Sequence, residues 1–165
     1  MLTYDELATP FGPIAYAMSS DTLVSLAFGA ADTDYILALS RRGVPSVLRQ
    51  AHPDFARRMH EYLDGDLQAL DALAVDAPGT EFQRAVWAAL RTIPVGQTWS
   101  YGQLAAHIGR PKAVRAVGLA NGRNPIAIVV PCHRVIGSDG SLTGFGGGLP
   151  TKRWLLRHEG VTVRD

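Results

Sequence analysis

The sequence predicts an α+β fold, with an N-terminal antiparallel three-stranded sheet plus helices and a C-terminal, mostly α domain built on a winged-helix-like helix-turn-helix. Three observations predict it. Short runs of strand character separated by turn residues fill the first thirty positions, helical spacing dominates after position 80, and charge changes sign between the halves. Residues 1–80 carry five Arg against eleven acids, a balance of −6, whereas residues 81–165 carry eleven Lys or Arg against four acids, a balance of +7. A boundary at Ala77-Pro78-Gly79 therefore separates domain 1–78, expected to be structural, from domain 79–165, expected to hold the chemistry.

The strands are expected at Leu2 to Leu7, Ile14 to Met18 and Leu23 to Phe28, divided by Pro10-Phe11-Gly12-Pro13 and Ser19-Ser20-Asp21. Asp32 or Thr33 caps a helix to about Arg42, and Pro53 opens another in which Phe55, Met59 and Tyr62-Leu63 recur at helical spacing. His52 and His60 have no cysteine partners and are expected in solvent. Thr80-Glu81-Phe82-Gln83 fits a capping box, after which Phe82, Val86, Ala89-Leu90 and Ile93 line a core-facing helix ending before Pro94.

A second box, Ser100-Tyr101-Gly102-Gln103, opens a short helix closing at Gly109. Arg110-Pro111 then predicts a restart with proline at the first helical position, running from Lys112 to about Asn121. The small residues Ala113, Ala116, Gly118 and Ala120 suit either close approach to a narrow groove or packing on another helix. Asn121 to Pro125 turns the chain into Ile126-Ala127-Ile128-Val129-Val130, read as a buried strand. Asn124, with a donor and an acceptor before a proline, is placed to pin that turn. Thr151 is expected to cap the last helix, in which Trp154-Leu155-Leu156 point inward.

Cys132 is the single cysteine among 165 residues and lies between Pro131 and His133. A lone cysteine after an apolar run is more often a small core hydrophobe than a catalyst. An adjacent imidazole at the end of a rigid, partly desolvated segment is also where a nucleophile would be held. One cysteine makes neither an internal disulfide nor a thiolate-rich zinc site, so a reducing compartment is expected. With no signal-like N-terminus and no membrane-length apolar window, the chain is expected to be soluble, unexported and cytoplasmic, associated with the nucleoid in a bacterium. The glycine run Gly144-Phe145-Gly146-Gly147-Gly148 lacks the Lys-Ser or Lys-Thr ending of a phosphate loop, which excludes nucleoside triphosphate binding on that motif. It suits either a flat ligand lying close to backbone or a plain connector. The basic half points to a polyanion, with nucleic acid first.

Pro131-Cys132-His133-Arg134-Val135 is preceded by Arg115-Ala116-Val117-Gly118 and Asn124-Pro125. It is followed by the glycine run and by Trp154-Leu155-Leu156-Arg157-His158-Glu159-Gly160. Together these elements, in this order, strongly resemble the O6-alkylguanine-DNA alkyltransferases, densely from about Thr80 to Gly160 and faintly before.

The resemblance implies direct repair of double-stranded DNA. A helix-turn-helix docks in the minor groove, the damaged guanine is flipped out, and Cys132 irreversibly takes the alkyl group from O6, with no cofactor. It further implies that His133, through water, draws off the thiol proton, and that Glu159 orients His133. Tyr101 turns the phosphate and donates a proton to the leaving base, and Asn124 ties the recognition helix to the active-site segment. Arg115 enters the stack, with Ala113, Val114, Gly118, Tyr101 and Lys112 also on DNA. Cys132, Val135, Phe145, Gly146 and Gly147 line the alkylguanine pocket. A monomer is expected, with cooperative assembly on DNA left open. No metal is expected, because the zinc site of some relatives needs cysteines that precede Cys132. Val114 and Leu119 stand where smaller or more polar residues are expected, and Phe145 where tyrosine is frequent, departures that bear on groove fit and substrate range. The alternatives are a non-catalytic, alkyltransferase-like lesion-binding or regulatory module and, third, a cysteine hydrolase using Cys132-His133.

Overall fold

Pro and Gly turns break the N-terminal residues into three strands, β1 (Leu2–Leu7), β2 (Ile14–Ser19) and β3 (Thr22–Phe28), paired as an antiparallel meander. The computed structural model describes residues 1–163, in two units that meet in sequence between Ala77 and Pro78. In the first unit the sheet has four strands and not the expected three: β4 (Val47–Arg49) pairs parallel to β1, giving the order β3-β2-β1-β4. Three residues are too few to show an alternation, so β4 is set by the edge that β1 offers and not by local pattern. The helix α1 (Thr33–Ser40) begins where its cap predicts, with the Asp32 carboxylate accepting from the Tyr35 N–H at 3.0 Å, and α2 (Pro53–Leu63) opens on Pro53 as expected. His52, expected in solvent, is half-buried, and its Nδ1 accepts from the Phe55 N–H at the start of α2. The face of α2 predicted by spacing is buried at Phe55, Met59 and Tyr62, and the Phe55 ring lies 4.3 Å from that of Tyr16 on β2.

The second unit opens on α3 (Glu81–Leu90), where the Thr80 hydroxyl accepts from the Gln83 N–H and the Gln83 amide accepts from the Thr80 N–H. Gly79 allows the Trp87 ring to cross it: a Cβ there would lie 2.6 Å from two ring carbons. The Trp87 indole in turn donates to the Ala120 carbonyl at 2.8 Å. The second capping box is likewise complete at Ser100 and Gln103, opening α4 (Tyr101–His107). Gly109, at φ +76°, ends α4: its N–H reaches the Ala106 carbonyl, and the Arg110 N–H reaches that of Ala105.

The next helix, α5 (Val114–Gly122), starts three residues later than the reading with Pro111 at its first position has it, with Ala113 as its N-cap. Arg110, Pro111 and Lys112 make the connecting turn, because the Ala113 N–H is taken by the Arg110 carbonyl. A pair of two-residue parallel strands, β5 (Trp99–Ser100) and β6 (Val135–Ile136), joins the start of α4 to the segment after Cys132. The last helix, α6 (Leu149–His158), is entered through Gly148 at φ +87° and not capped by Thr151, which is buried inside its first turn. Leu155 and Leu156 are buried as expected, whereas Trp154 is half-buried and stacks on His158 at 4.7 Å. Among the described residues no helix is long and apolar enough to cross a membrane.

Phe55→Ala is expected to destabilise the first unit by roughly 3–5 kcal/mol, as a lost aromatic leaves a cavity that the sheet cannot close. Urea denaturation followed by circular dichroism measures it.

Candidate active site

The apolar run before Cys132 is not the strand its composition suggests. Residues 126–130 are buried but turn back on themselves, with the Val130 N–H bonded to the Ile126 carbonyl at 3.0 Å. The Val129 N–H reaches the Ala127 carbonyl at 2.8 Å around Ile128, whose φ is +69°. That is a γ-turn of the strained, left-handed kind, costly for a β-branched residue. A second γ-turn, of the ordinary hand, follows at Pro131 (φ −83°, ψ 67°), where the Cys132 N–H reaches the Val130 carbonyl at 2.8 Å.

Asn124 holds these turns closed. Its Nδ2 donates to the Val130 carbonyl at 2.8 Å, and its Oδ1 accepts from the Ile126 N–H at 3.0 Å. Both backbone groups lie among apolar side chains, where an unpaired polar group costs about 1–3 kcal/mol. The sequence reading of Asn124 as a two-sided clamp on this turn matches its bonds.

Cys132 opens a single 3-10 turn, Cys132–Arg134, and is 7% exposed. Burial pushes its thiol pKa up, against smaller opposing effects from the Asn124 amide and the Lys152 ammonium. His133 is fully buried, and its Nε2 lies 2.8 Å from Glu159 Oε2. That bond places the ring proton on Nε2 and leaves Nδ1, buried without a hydrogen-bond partner, as the basic nitrogen. Burial holds the imidazole pKa below its ordinary value although Glu159 pulls the other way.

Glu159 is the C-cap of α6, fixed there by Gly160 (φ +87°) and by the Val161 N–H reaching back to the Leu156 carbonyl. Burial alone would raise its pKa, but His133 and Arg134 hold the carboxyl well below the usual range. Arg134 supplies a two-pronged bond, Nε to Oε1 at 2.8 Å and Nη2 to Oε2 at 3.2 Å, and its Nη1 donates to the Ile93 carbonyl at 2.8 Å.

Of the other residues singled out in the sequence, Tyr101 is half-buried with its hydroxyl 2.5 Å from Thr143 Oγ1. Gly118 lies against the Tyr101 ring: a Cβ on it would sit 3.6 Å away. Lys112, Val114 and Arg115 are exposed, Ala113 is half-buried, and Leu119 is 57% exposed. Val135 is buried, Phe145 and Gly147 are half-buried, and Gly146 is exposed with open space where a Cβ would be. The structure thus gathers Cys132, His133, Glu159 and Asn124, and leaves Arg115 outside that group on the α4–α5 surface. Two residues of the network, Thr143 and Lys152, carry no such signal in the sequence, and Arg134 stands there only as a member of the Pro131-Cys132-His133-Arg134-Val135 run, with no role given. A buried lysine in particular reads as a solvated residue until its helix is placed. Among the described residues no group of three or more His, Cys, Asp or Glu is placed to hold a metal ion.

A buried cysteine next to a histidine that a doubly bonded carboxylate holds, in one unit with a helical pair bearing an exposed arginine, has the nucleophile, base and orienter of an activated thiol. Residues 81–161 match the family model "6-O-methylguanine DNA methyltransferase, DNA binding domain". A methylated-DNA–protein-cysteine methyltransferase of Salmonella typhimurium is 61% identical over 106 residues, 64% of this chain and 62% of that protein's length. One of Methanosarcina barkeri is 43% identical over 164 residues, covering 98% of this chain and 99% of its own. The crystal structure of Mycobacterium tuberculosis OGT in complex with DNA superposes with a TM-score of 0.79 at 41% identity, over 95% of this chain and 92% of that one. This chain belongs to the methylated-DNA–protein-cysteine methyltransferase family.

Glu159→Gln is expected to lower stability at neutral pH by roughly 3–5 kcal/mol, because Arg134 then keeps a buried charge without its counter-charge. Glu159 has a depressed folded pKa, so its contribution is complete above the ordinary carboxylate range and is lost as pH falls through the depressed value. In thermal melts of both proteins between pH 7 and pH 3, the gap between them should therefore hold constant down to the ordinary carboxylate range and begin to narrow only below it.

Proposed function

We propose that this protein repairs DNA by taking an alkyl group from O6 of guanine onto Cys132, once per molecule. The single observation that carries the reading is the His133 arrangement. Glu159 fixes the Nε2 proton, so that Nδ1 is free to accept one. The Cys132 proton passes through water to His133, and Sγ attacks the alkyl carbon. The S–C bond forms as the C–O6 bond breaks, its electron pair leaves with the guanine oxygen, and Tyr101 supplies the proton that neutralises the leaving base and regains one, through water, from the protonated His133. A thiol and an O6-alkylguanine become a thioether and guanine. No group here activates water to cleave a thioether, so the product is final.

The attacked atom lies inside the base stack, so the nucleotide must be flipped out. The reading places α5 in the minor groove with Arg115 filling the gap, Lys112 and Tyr101 on phosphates, and the small Ala113 and Gly118 admitting the backbone. Val114 and Leu119 add apolar surface to that face. The flipped guanine lies against backbone groups of Cys132, Val135 and Gly146, bordered by Phe145 and Gly147. The DNA complex of the Mycobacterium tuberculosis relative and the basic balance of residues 81–165 support DNA as the partner. In this reading domain 79–165 does the chemistry, domain 1–78 is structural, the protein acts as a monomer in the cytoplasm or on the nucleoid, and cooperative binding is a matter for titration on long duplexes.

The test is incubation with a duplex carrying one O6-methylguanine, followed by intact-protein mass spectrometry. One methyl group on Cys132, never more, is expected. Binding with no mass change would instead favour a lesion-binding module, and turnover of an ester or amide a hydrolase. Cys132→Ser is expected to abolish transfer while keeping DNA binding. Arg115→Ala is expected to slow transfer from duplex by about tenfold or more, given the few kcal/mol that unstacking a base costs, and to spare transfer from the free base. Equal losses on both substrates would remove Arg115 from the flipping step.

A further inference from the structure

Giving a proton to a departing base requires a hydroxyl that is aimed. Tyr101 stands at the first position of α4, where the backbone fixes its Cα and Cβ but leaves the phenol O–H free to rotate about the C–O bond. The ring has neighbours on two sides of the chain. Gly118 of α5 lies against it, with a Cβ there 3.6 Å away, and the residue before it, Ser100, pairs with Ile136 of β6. Neither contact directs the proton.

The hydroxyl itself is met by Thr143, whose Oγ1 lies 2.5 Å from it across 42 residues of sequence. Thr143 belongs to neither helix nor strand, in the segment between β6 and α6. Its backbone is anchored from α6 all the same. Its carbonyl accepts from Lys152 Nζ at 3.4 Å, and the same Nζ donates to the Val135 carbonyl at 2.7 Å. Lys152 is 0% exposed, so bulk water does not compete for these bonds. A hydroxyl on an irregular segment is thereby presented to Tyr101 from a fixed point.

The chemistry sets the direction of this bond. In the resting protein either oxygen can donate. Once the Tyr101 O–H points at the leaving guanine, the phenol oxygen can only accept, and Thr143 becomes the donor. Negative charge develops on that oxygen as its proton departs and remains until one returns from His133 through water. A donor already at hydrogen-bond distance stabilises such a charge without reorganisation, and Thr143 keeps its own proton throughout.

We infer that Thr143 is a positioning residue for the proton transfer: its hydroxyl donates to the Tyr101 oxygen, aims the Tyr101 proton at the departing guanine and steadies the phenolate left behind. The inference rests on the alkyl-transfer reading and on the proton role of Tyr101 within it.

The test compares two leaving groups at one sulfur. Guanine needs a proton as it departs, whereas iodide does not. Single-turnover methyl transfer from a saturating duplex carrying one O6-methylguanine, and alkylation by iodoacetamide, are both followed by intact-protein mass. The proteins are the full-length parent, Thr143→Val, Thr143→Ser, Tyr101→Phe and the Thr143→Val, Tyr101→Phe double variant, all with Cys132 as their only thiol. Thr143→Val keeps the shape and removes the hydroxyl. It is expected to slow methyl transfer about tenfold, as loss of one hydrogen bond to a charged oxygen does, and to leave the iodoacetamide rate and the duplex Kd within about twofold of the parent. Thr143→Ser should restore the methyl-transfer rate. In the Tyr101→Phe background, Thr143→Val should cost less than about twofold, because the bond is already gone.

A folded Thr143→Val protein that transfers methyl at the parent rate overturns the inference. So does an equal slowing with iodoacetamide, a loss confined to Kd, or the same loss with and without the Tyr101 hydroxyl, each of which is the mark of a merely structural contact. Should Thr143→Val fail to fold, Thr143→Ala takes its place under the same criteria. A Tyr101→Phe protein that transfers at the parent rate overturns the inference and leaves repair by Cys132 standing. A parent protein that takes no methyl from the duplex overturns the repair reading, and this inference with it.

Discussion

The rest of the second unit depends on one buried carboxylate. Glu159 accepts from Arg134 and His133 at the end of α6, while Arg134 also bonds the Ile93 carbonyl just beyond α3. Three separate parts of the chain, the end of α3, the 3-10 turn holding Cys132 and the end of α6, are thereby held to one point. Burying ions is expensive, and such a network is stabilising only when every lone pair and proton is placed. The fork of Arg134 and the single bond from His133 satisfy that condition on both carboxylate oxygens. The same bonds settle which nitrogen of His133 is basic, so the interaction that holds the turn also sets its chemistry.

The second constraint is backbone strain held by side-chain bonds. Ile128 adopts a positive φ that its branched side chain opposes, and Pro131 follows it with another three-residue turn. Such conformations persist where the surroundings over-determine them. Asn124 does so from one side, and the burial of residues 126–130 does so from the other. The outcome is a buried cysteine on a 3-10 turn that runs directly into β6, whose Val135 carbonyl accepts from Lys152. Short parallel pairing of β5 with β6 then brings the Ser100 cap, and with it Tyr101, to the same neighbourhood.

Much of this was legible residue by residue. Both capping boxes close as their spacing requires, because an Ncap hydroxyl and an N3 amide need only the local helix to find each other. Gly109 ends α4 by a local rule of the same kind. Asn124 was legible as a clamp from its two-sided amide before a proline, and Cys132 from its isolation among motif residues. The run 126–130 was not legible as a turn, since five apolar residues suit a buried strand and a buried turn equally. Nor was the late start of α5: Pro111 is compatible with a helical first turn, but the Arg110 carbonyl is spent on the Ala113 N–H instead. The fourth strand and the burial of Thr151 were not legible because each depends on a neighbour distant in sequence, whereas the His52 cap of α2 is a local bond to the Phe55 N–H from a residue that is not among the usual caps.

What the sequence by itself determined is the inventory and its local grammar: one thiol, an adjacent imidazole, an acid before a terminal glycine, a basic half, and helices begun and ended by their caps. These follow from interactions spanning a few residues, and so survive any arrangement of the whole. What only the tertiary structure decided is which groups share a low-dielectric interior. Lys152 is one basic residue among eleven in the second half, and nothing local separates it from the exposed Lys112 and Arg115, while Arg134 stands in the run with Cys132 but nothing local shows its partner. Burial makes the difference: it joins Arg134 to Glu159 and brings Lys152 onto the Val135 carbonyl. Desolvation is a property of packing over long sequence separations, and no short window of residues encodes it.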